Sequence, residues 1–246
     1  MELNGRVALV TGGARRVGRA ISLALARAGA DVVVNYFQSA EAAEETVAEI
    51  VALGRRAIAV HADVALKPEV DALVRRTAET FGRLDVLVNN ASVFVSSPLL
   101  GIAEEEWDRV LDVNLKGPFL LSQAAVPLLR REGRGVIVNI ADLSAFQPWP
   151  SYAHHAVSKA GLVHLTRVLA RALAPDIRVN AVAPGTVLPP EDYTEADVRR
   201  SIERTPLKRI GSPEDVARAV LYLIESDFTT GEVVVVDGGR MLGVPG

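Results

Sequence analysis

The chain has 246 residues, 49% of them hydrophobic and 23% charged, a balance that supports a large folded core and excludes a disordered polymer. Its net charge of -3 supplies no basic field, so nucleic acid and anionic membrane surfaces are not expected partners. With no cysteine, disulfides, thiolate metal sites and cysteine nucleophiles are excluded, and no metal site is read among the other residues.

The opening Met1-Glu2-Leu3-Asn4-Gly5-Arg6 lacks a basic stretch leading into an apolar run, and nothing later approaches the roughly 18 apolar residues of a membrane span. A cytoplasmic location is expected. Val7 to Thr11 reads as a strand, and it runs into Thr11-Gly12-Gly13-Ala14-Arg15-Arg16-Val17-Gly18 and an alanine-rich helix through Ala28, stopped by Gly29. Glycines at a strand end permit a tight turn and close backbone approach, and the helix N-terminus that follows faces a pyrophosphate. The next strand, Asp31 to Asn35, is followed by Tyr36-Phe37, without the acid that holds the adenosine ribose in an NAD enzyme. Arg15 and Arg16 approach the same ribose, and guanidinium pairs well with phosphate, so NADP(H) is expected, with Asn35 among its contacts. The alternative for these arginines is solvated surface charge.

Ser39 precedes a helical segment to Leu53, with Gly54 as its stop. Further strands are expected at Ala57–His61, Val86–Asn89, Val136–Ile140, Arg178–Val182 and Glu232–Val236, and Ser212-Pro213-Glu214-Asp215 opens another helix. Each strand reads apolar on both faces, as parallel strands covered by helices do, and the helical segments supply right-handed crossovers. The expected fold is α/β: one Rossmann-type domain over 1–246, a doubly wound parallel sheet of about seven strands with helices on both faces. The stretch from Pro184 to Thr194 reads as an irregular loop at the ligand crevice, a candidate substrate lid. Lysine occurs only at positions 67, 116, 159 and 208, so Lys159 draws attention as a site needing a compact ammonium.

Thr11-Gly12 with Gly18, Asp63-Val64, Asn89-Asn90-Ala91, Asn114, Lys159 and Pro184-Gly185 resemble the short-chain dehydrogenases/reductases in order and spacing, over essentially the whole chain. The resemblance implies that Thr11, Gly12, Val17 and Gly18 cradle the cofactor. It further implies that Asp63 and Val64 contact adenine, that Asn90 and Ala91 line the cofactor, and that Pro184, Gly185 and Thr186 hold the nicotinamide end. Asp63 also reads as a helix cap, and Pro184-Gly185 as a plain turn. Three departures, Arg16, Phe94 and Asp142 at the usual catalytic serine position, resemble pteridine reductases. They imply a pterin- or folate-like substrate stacked on Phe94 and bounded by Arg16 and Asp142; Phe94 also reads as core, and Arg16 as serving the cofactor alone. A homotetramer pairing the helices around 103–131 and 151–173 is implied as well.

Nicotinamide chemistry needs a hydride donor on one face of the substrate and a proton donor at its heteroatom. The resemblance implies a tyrosine four residues before the lysine, where this chain has His155. Asp142 precedes it by the 13 residues the family uses, so His155 stands at the tyrosine position. Tyr152 lies about 10.5 Å along a helix axis from Lys159, too far to substitute, and His154 points roughly 100° away. An imidazole can deliver a proton, but its nitrogen reaches roughly 2 Å less far than a phenol oxygen. The Lys159 charge disfavours imidazolium and Asp142 favours it, leaving the balance open. The expected activity is an NADPH-dependent reductase resembling pteridine reductases, with Asp142 and His155 handling protons, Lys159 orienting ribose and Asn114 supporting a relay water. The alternatives are a ketone reductase resembling 3-oxoacyl-carrier-protein reductases, and a non-catalytic NADP-binding protein.

Overall fold

The computed structural model describes residues 1–131, 133–189 and 193–243. Seven strands form one sheet: β1 (Val7–Val10), β2 (Asp31–Tyr36), β3 (Ala57–His61), β4 (Val86–Asn89), β5 (Gly135–Ile140), β6 (Ile177–Pro184) and β7 (Val233–Val236). Their order is β3-β2-β1-β4-β5-β6-β7, and every neighbouring pair is parallel. The chain therefore starts mid-sheet, winds outward to β3, then returns to place β4 beside β1 and winds the other way. That reversal opens a crevice beyond the carboxyl ends of β1 and β4, where ligands of doubly wound sheets bind.

Period-2 alternation sends the strand side chains into two separate cores. Ala8 and Val10, with Val32 and Val34 of β2, pack against α1 (Arg16–Arg27), α2 (Ala40–Ala52) and α8 (Pro213–Glu225). Leu9, Val33, Leu87 and Ile137 face α3 (Lys67–Phe81) and α5 (Gly117–Arg130), with Ala170 of α6 (Ala153–Leu173) on the same side. This covering by helices is why the inner strands are apolar throughout. The two edge strands depart from the expectation of full burial: β3 and β7 are largely half-buried, each having a strand on one flank only.

Two shorter helices, α4 (Glu104–Leu111) and α7 (Glu195–Glu203), complete the set of α-helices among the described residues. Between α4 and α5 the chain passes through a π-helical turn, Asp112–Lys116, with Asn114 buried in it. Such widened turns interrupt the regular helical ladder and re-aim the side chains they carry. The expected loop from Pro184 begins one residue later, since β6 runs through Pro184, and its residues 190–192 lie outside the described residues. No helix among the described residues is long and apolar enough to cross a membrane.

Candidate active site

The turn after β1 is built for close backbone approach. A Cβ added to Gly18 would sit 2.0 Å from the Gly12 carbonyl oxygen and 2.6 Å from Asn90 Nδ2, and Gly12 itself has a φ of +59°. Only glycine meets both demands. Thr11 Oγ1 accepts from the backbone N–H groups of Asn90 (2.9 Å) and Ala91 (3.0 Å), while Asn90 Nδ2 donates to the carbonyls of Thr11 and Gly12. Helix α1 then opens with no side-chain cap and no acid in its first turn, leaving its N–H groups and the positive end of its dipole to an anion. These residues fit a dinucleotide pyrophosphate.

Three sequence expectations around the cofactor change. Asn35 is buried, and its amide is spent on the protein: Oδ1 accepts from Gly12 N–H at 3.4 Å, and Nδ2 donates to the carbonyls of Val60 and Ala62. It braces the turn instead of facing a ribose. The two arginines divide. Arg15 lines a recess of about 270 Å³ with Gln38, Ser39 and the uncapped start of α2, whereas Arg16, at φ +51°, donates to the carbonyls of Leu188 and Pro189, each at 3.2 Å. Glu41 and Glu45 line the same recess, so Arg15 is its cation among carboxylates. Asp63 is not the cap of α3, a position held by Leu66; it accepts from Ala65 N–H and pairs with Arg109 at 2.7 Å, while Val64 is buried in the core. Arg109 in turn lies 5.4 Å over the Phe37 ring, so this corner offers flat groups as well as charge.

Beyond the turn lies a cavity of about 280 Å³, where Arg16, Val17, Phe94, Asp142, His155 and Lys159 meet. Pro184, Gly185 and Thr186 form part of its rim, and a Cβ on Gly185 would stand 2.8 Å from Asp237 Cα, so glycine is required there too. His155 and Lys159 sit one turn apart on α6, both buried. Lys159 Nζ donates to the Ile140 carbonyl at 2.9 Å, and burial pushes its pKa down to about 8 against the pull of Asp142. Burial, reinforced by the Lys159 charge, pushes the His155 pKa down to about 3, so the ring is neutral and the opposing pulls read from sequence resolve against imidazolium. Burial raises Asp142 above the usual carboxylate value, although its bonds with Ser144 and the charges of Lys159 and Arg240 oppose this.

Asn114 does not present its side chain to a relay water. Its Oδ1 accepts from Val93 N–H at 2.7 Å and Ser92 Oγ at 3.2 Å, and its Nδ2 donates to the Val93 carbonyl and Ser158 Oγ. Its amide clamps the 92–93 segment onto α6. Phe94 is 42% exposed and so is not core, yet one face is already covered: Tyr152 stacks on it at 4.4 Å and 10°, and His155 meets it edgewise at 4.7 Å. Tyr152 belongs to a 3₁₀ turn (Pro150–Tyr152) before α6, and His154 is turned away, its Nε2 3.0 Å from Glu106 Oε1.

Sequence reading missed Arg240, which enters the cavity from the far end of the chain and donates to Thr186 Oγ1. The available signal was Asp237-Gly238-Gly239 directly after β7, whose glycines at φ +64° and +87° turn the chain back toward the site. Trp149 and Tyr193 also line the cavity and were not anticipated.

Residues 12–240 match the family model described as Enoyl-(Acyl carrier protein) reductase. The chain is 42% identical over 245 residues to a 3-oxoacyl-[acyl-carrier-protein] reductase of Synechocystis sp., with 98% of each covered. Among solved structures, a protein of Sinorhizobium meliloti 1021 described as a short-chain alcohol dehydrogenase superimposes with a TM-score of 0.94 at 36% identity, covering 99% of both chains. A blue fluorescent protein from a metagenomic library, solved in complex with NADPH, gives a TM-score of 0.91 at 35% identity, covering 98% of this chain and 99% of that one. The pteridine-reductase resemblance drawn from Arg16, Phe94 and Asp142 is therefore displaced by the oxoacyl-reductase alternative. The chain belongs to the short-chain dehydrogenase/reductase family of oxidoreductases.

Proposed function

We propose that the protein is an NADP(H)-dependent oxidoreductase that interconverts a carbonyl and a secondary alcohol, with 3-oxoacyl thioesters and their 3-hydroxy counterparts as its substrate class. The observation that carries this is the convergence of Lys159 and His155, one turn apart, on a cavity that also reaches the glycine turn and Thr186. The substrate class follows the 3-oxoacyl-[acyl-carrier-protein] reductase at 42% identity, and the cofactor follows the NADPH bound in the structural relative.

Within this reading Gly12, Gly18 and the start of α1 hold the pyrophosphate, Arg15 reads the 2′-phosphate, Lys159 holds the nicotinamide ribose, and Thr186 meets the nicotinamide end. When bound, the cofactor supplies or accepts the hydride. His155 is the polar group facing the substrate oxygen, and Asp142 is the second titratable group at the cavity wall. Assembly into a homotetramer is part of the proposal: α5 and α6 expose Phe119 (43%), Val157 (50%) and Val168 (50%), apolar area that a second copy would cover. Light scattering that returned a monomer would remove that part.

The test mixes purified protein with NADPH or NADH and a panel of 3-oxoacyl thioesters, simple ketones and dihydropteridines, following cofactor absorbance. Oxidation of NADPH with oxoacyl thioesters is expected. Turnover with pteridines alone would overturn the substrate class, and NADPH binding without any turnover would make the protein a cofactor-binding module.

A further inference from the structure

The turn after β7 holds Arg240 in place. Asp237 accepts from the N–H groups on either side of it, Gly239 at 2.8 Å and Met241 at 2.7 Å, and Gly238 and Gly239 take the left-handed φ values that bend the chain back. The half-buried guanidinium then donates one N–H to Thr186 Oγ1. Its Nε and Nη2 have no protein partner among the described residues, and no carboxylate there forms an ion pair with it. Asp142 feels its charge, yet more weakly than that of Lys159, and is itself held by Ser144 N–H at 2.7 Å. The cavity wall thus sets Arg16, Lys159 and Arg240 against Asp142, an excess of positive charge.

Arg240 also lines a second recess, of about 150 Å³, and with Tyr193 forms the wall common to both spaces. The other residues of that recess, Asp197, Arg200, Ser201 and Arg204, lie on α7 or directly after it. Asp197 is used by the fold: it accepts from Thr194 as part of the helix cap and pairs with Arg200 at 3.0 Å, so those two charges cancel. The Arg204 side chain makes no hydrogen bond or ion pair among the described residues. A guanidinium cannot shed its charge, and its planar fork of N–H donors matches an oxyanion. None of the residues assigned above to the cofactor lines this recess, so the anion it fits belongs to the substrate. We propose that Arg240, with Arg204 beside it, binds an oxyanion carried by the substrate and so selects charged carbonyl compounds over neutral ones. This rests on the carbonyl–alcohol oxidoreductase reading and narrows its substrate. The oxyanion has two sources, the carboxylate of a free 3-oxo acid or the phosphate groups on the carrier arm of a thioester.

The test gives the full chain NADPH and matched substrates with and without the anion: acetoacetate against its methyl ester, and acetoacetyl-coenzyme A against acetoacetyl-N-acetylcysteamine. The readout is the kcat/KM ratio within each pair, in which any general loss from a weakened fold cancels. The wild-type protein is expected to favour the charged member of at least one pair. Arg240→Gln should cut that ratio about tenfold or more, as loss of a charge-assisted contact does, with Arg240→Lys between the two and Arg204→Gln causing a smaller drop. A fall in the acid–ester ratio identifies the carboxylate, and a fall in the thioester ratio the phosphate. Unchanged ratios in both pairs, or a raised Kd for NADPH as the only effect of Arg240→Gln, would overturn the inference. If no compound turns over, the oxidoreductase reading fails by itself, and calorimetry with malonate and with inorganic phosphate at matched ionic strength still decides. Binding about tenfold weaker in Arg240→Gln supports the site, and equal binding or none overturns it.

Discussion

Lys159 shows how one residue trades stability against function. Its ammonium is buried and donates to the Ile140 carbonyl, and its pKa falls to about 8, the mark of a charge held where solvent would serve it better. Lys159→Met keeps the stem and removes the charge; thermal unfolding should show a gain of about 1–3 kcal/mol while NADPH binding weakens. A loss of stability would mean that the ammonium is better paired than its surroundings indicate. The division of Arg15 from Arg16 makes a second residue-scale prediction. Arg15→Ala should raise the Kd for NADPH about tenfold or more and leave NADH nearly unchanged, because one charge-assisted phosphate contact contributes about 1.5–3 kcal/mol. Arg16→Ala should weaken both cofactors alike, if either, since its guanidinium is engaged by Leu188 and Pro189. At position 155, a tyrosine hydroxyl both donates and accepts. His155→Tyr is therefore expected to bind a ketone more tightly relative to its alcohol, read as the ratio of the two Kd values in complexes where no hydride can transfer.

At the scale of elements, the first turn of α1 and the strand end before it act as one piece. The Gly18 position touches the Gly12 carbonyl so closely that a methyl group must push α1 away from β1. Gly18→Ala should cost about 1–3 kcal/mol as overpacking and abolish NADPH binding, checked by denaturant melts and by cofactor fluorescence. Binding that survived at wild-type strength would show that the pyrophosphate does not sit on this turn. The π-helical turn plays the corresponding part on the other side: it carries Asn114 to a place where one amide ties Ser92, Val93 and Ser158 together. Phe94 and His155 then owe their relative position to that clamp, and through it the cavity gets its wall.

For the whole molecule, the buried titratable groups set the acid limit of stability. His155 has a folded pKa of about 3 against 6.5 when unfolded, so below 6.5 the unfolded chain takes up a proton that the folded chain refuses. Stability should fall by about 1.4 kcal/mol per pH unit through that window. Although burial pushes the Asp85 carboxyl up, the Arg83 bonds, the Val7 N–H and the charges of Arg83 and Arg6 hold it below its ordinary value, so its contribution is lost as pH falls through that lowered pKa. Asp142, raised by burial, acts in the opposite sense and offsets part of the loss. Denaturant midpoints at pH 7, 5.5 and 4.5 should therefore decline steadily, and a His155→Phe variant should decline less. Identical slopes for the two proteins would show that His155 stays accessible to protons.

How far the sequence reaches depends on the range of the forces involved. The strands and their parallel direction were legible because β-branched runs, glycine stops and helix starts such as Ser212-Pro213 act within a few residues, and a strand covered on both faces has no room for polar side chains. The glycine turn was legible for the same local reason, as were Lys159 and the histidine one turn before it. What only the tertiary structure decided is where polar groups spend their hydrogen bonds. Asn35 and Asn114 look free in sequence and are consumed in space; Arg15 and Arg16 are neighbours in sequence and serve different sites. Arg240 reaches the cavity from more than 50 residues beyond Thr186, which no local pattern encodes. Burial and the Lys159 charge likewise settle that His155 is neutral, because desolvation arises from the packed fold and not from the order of residues.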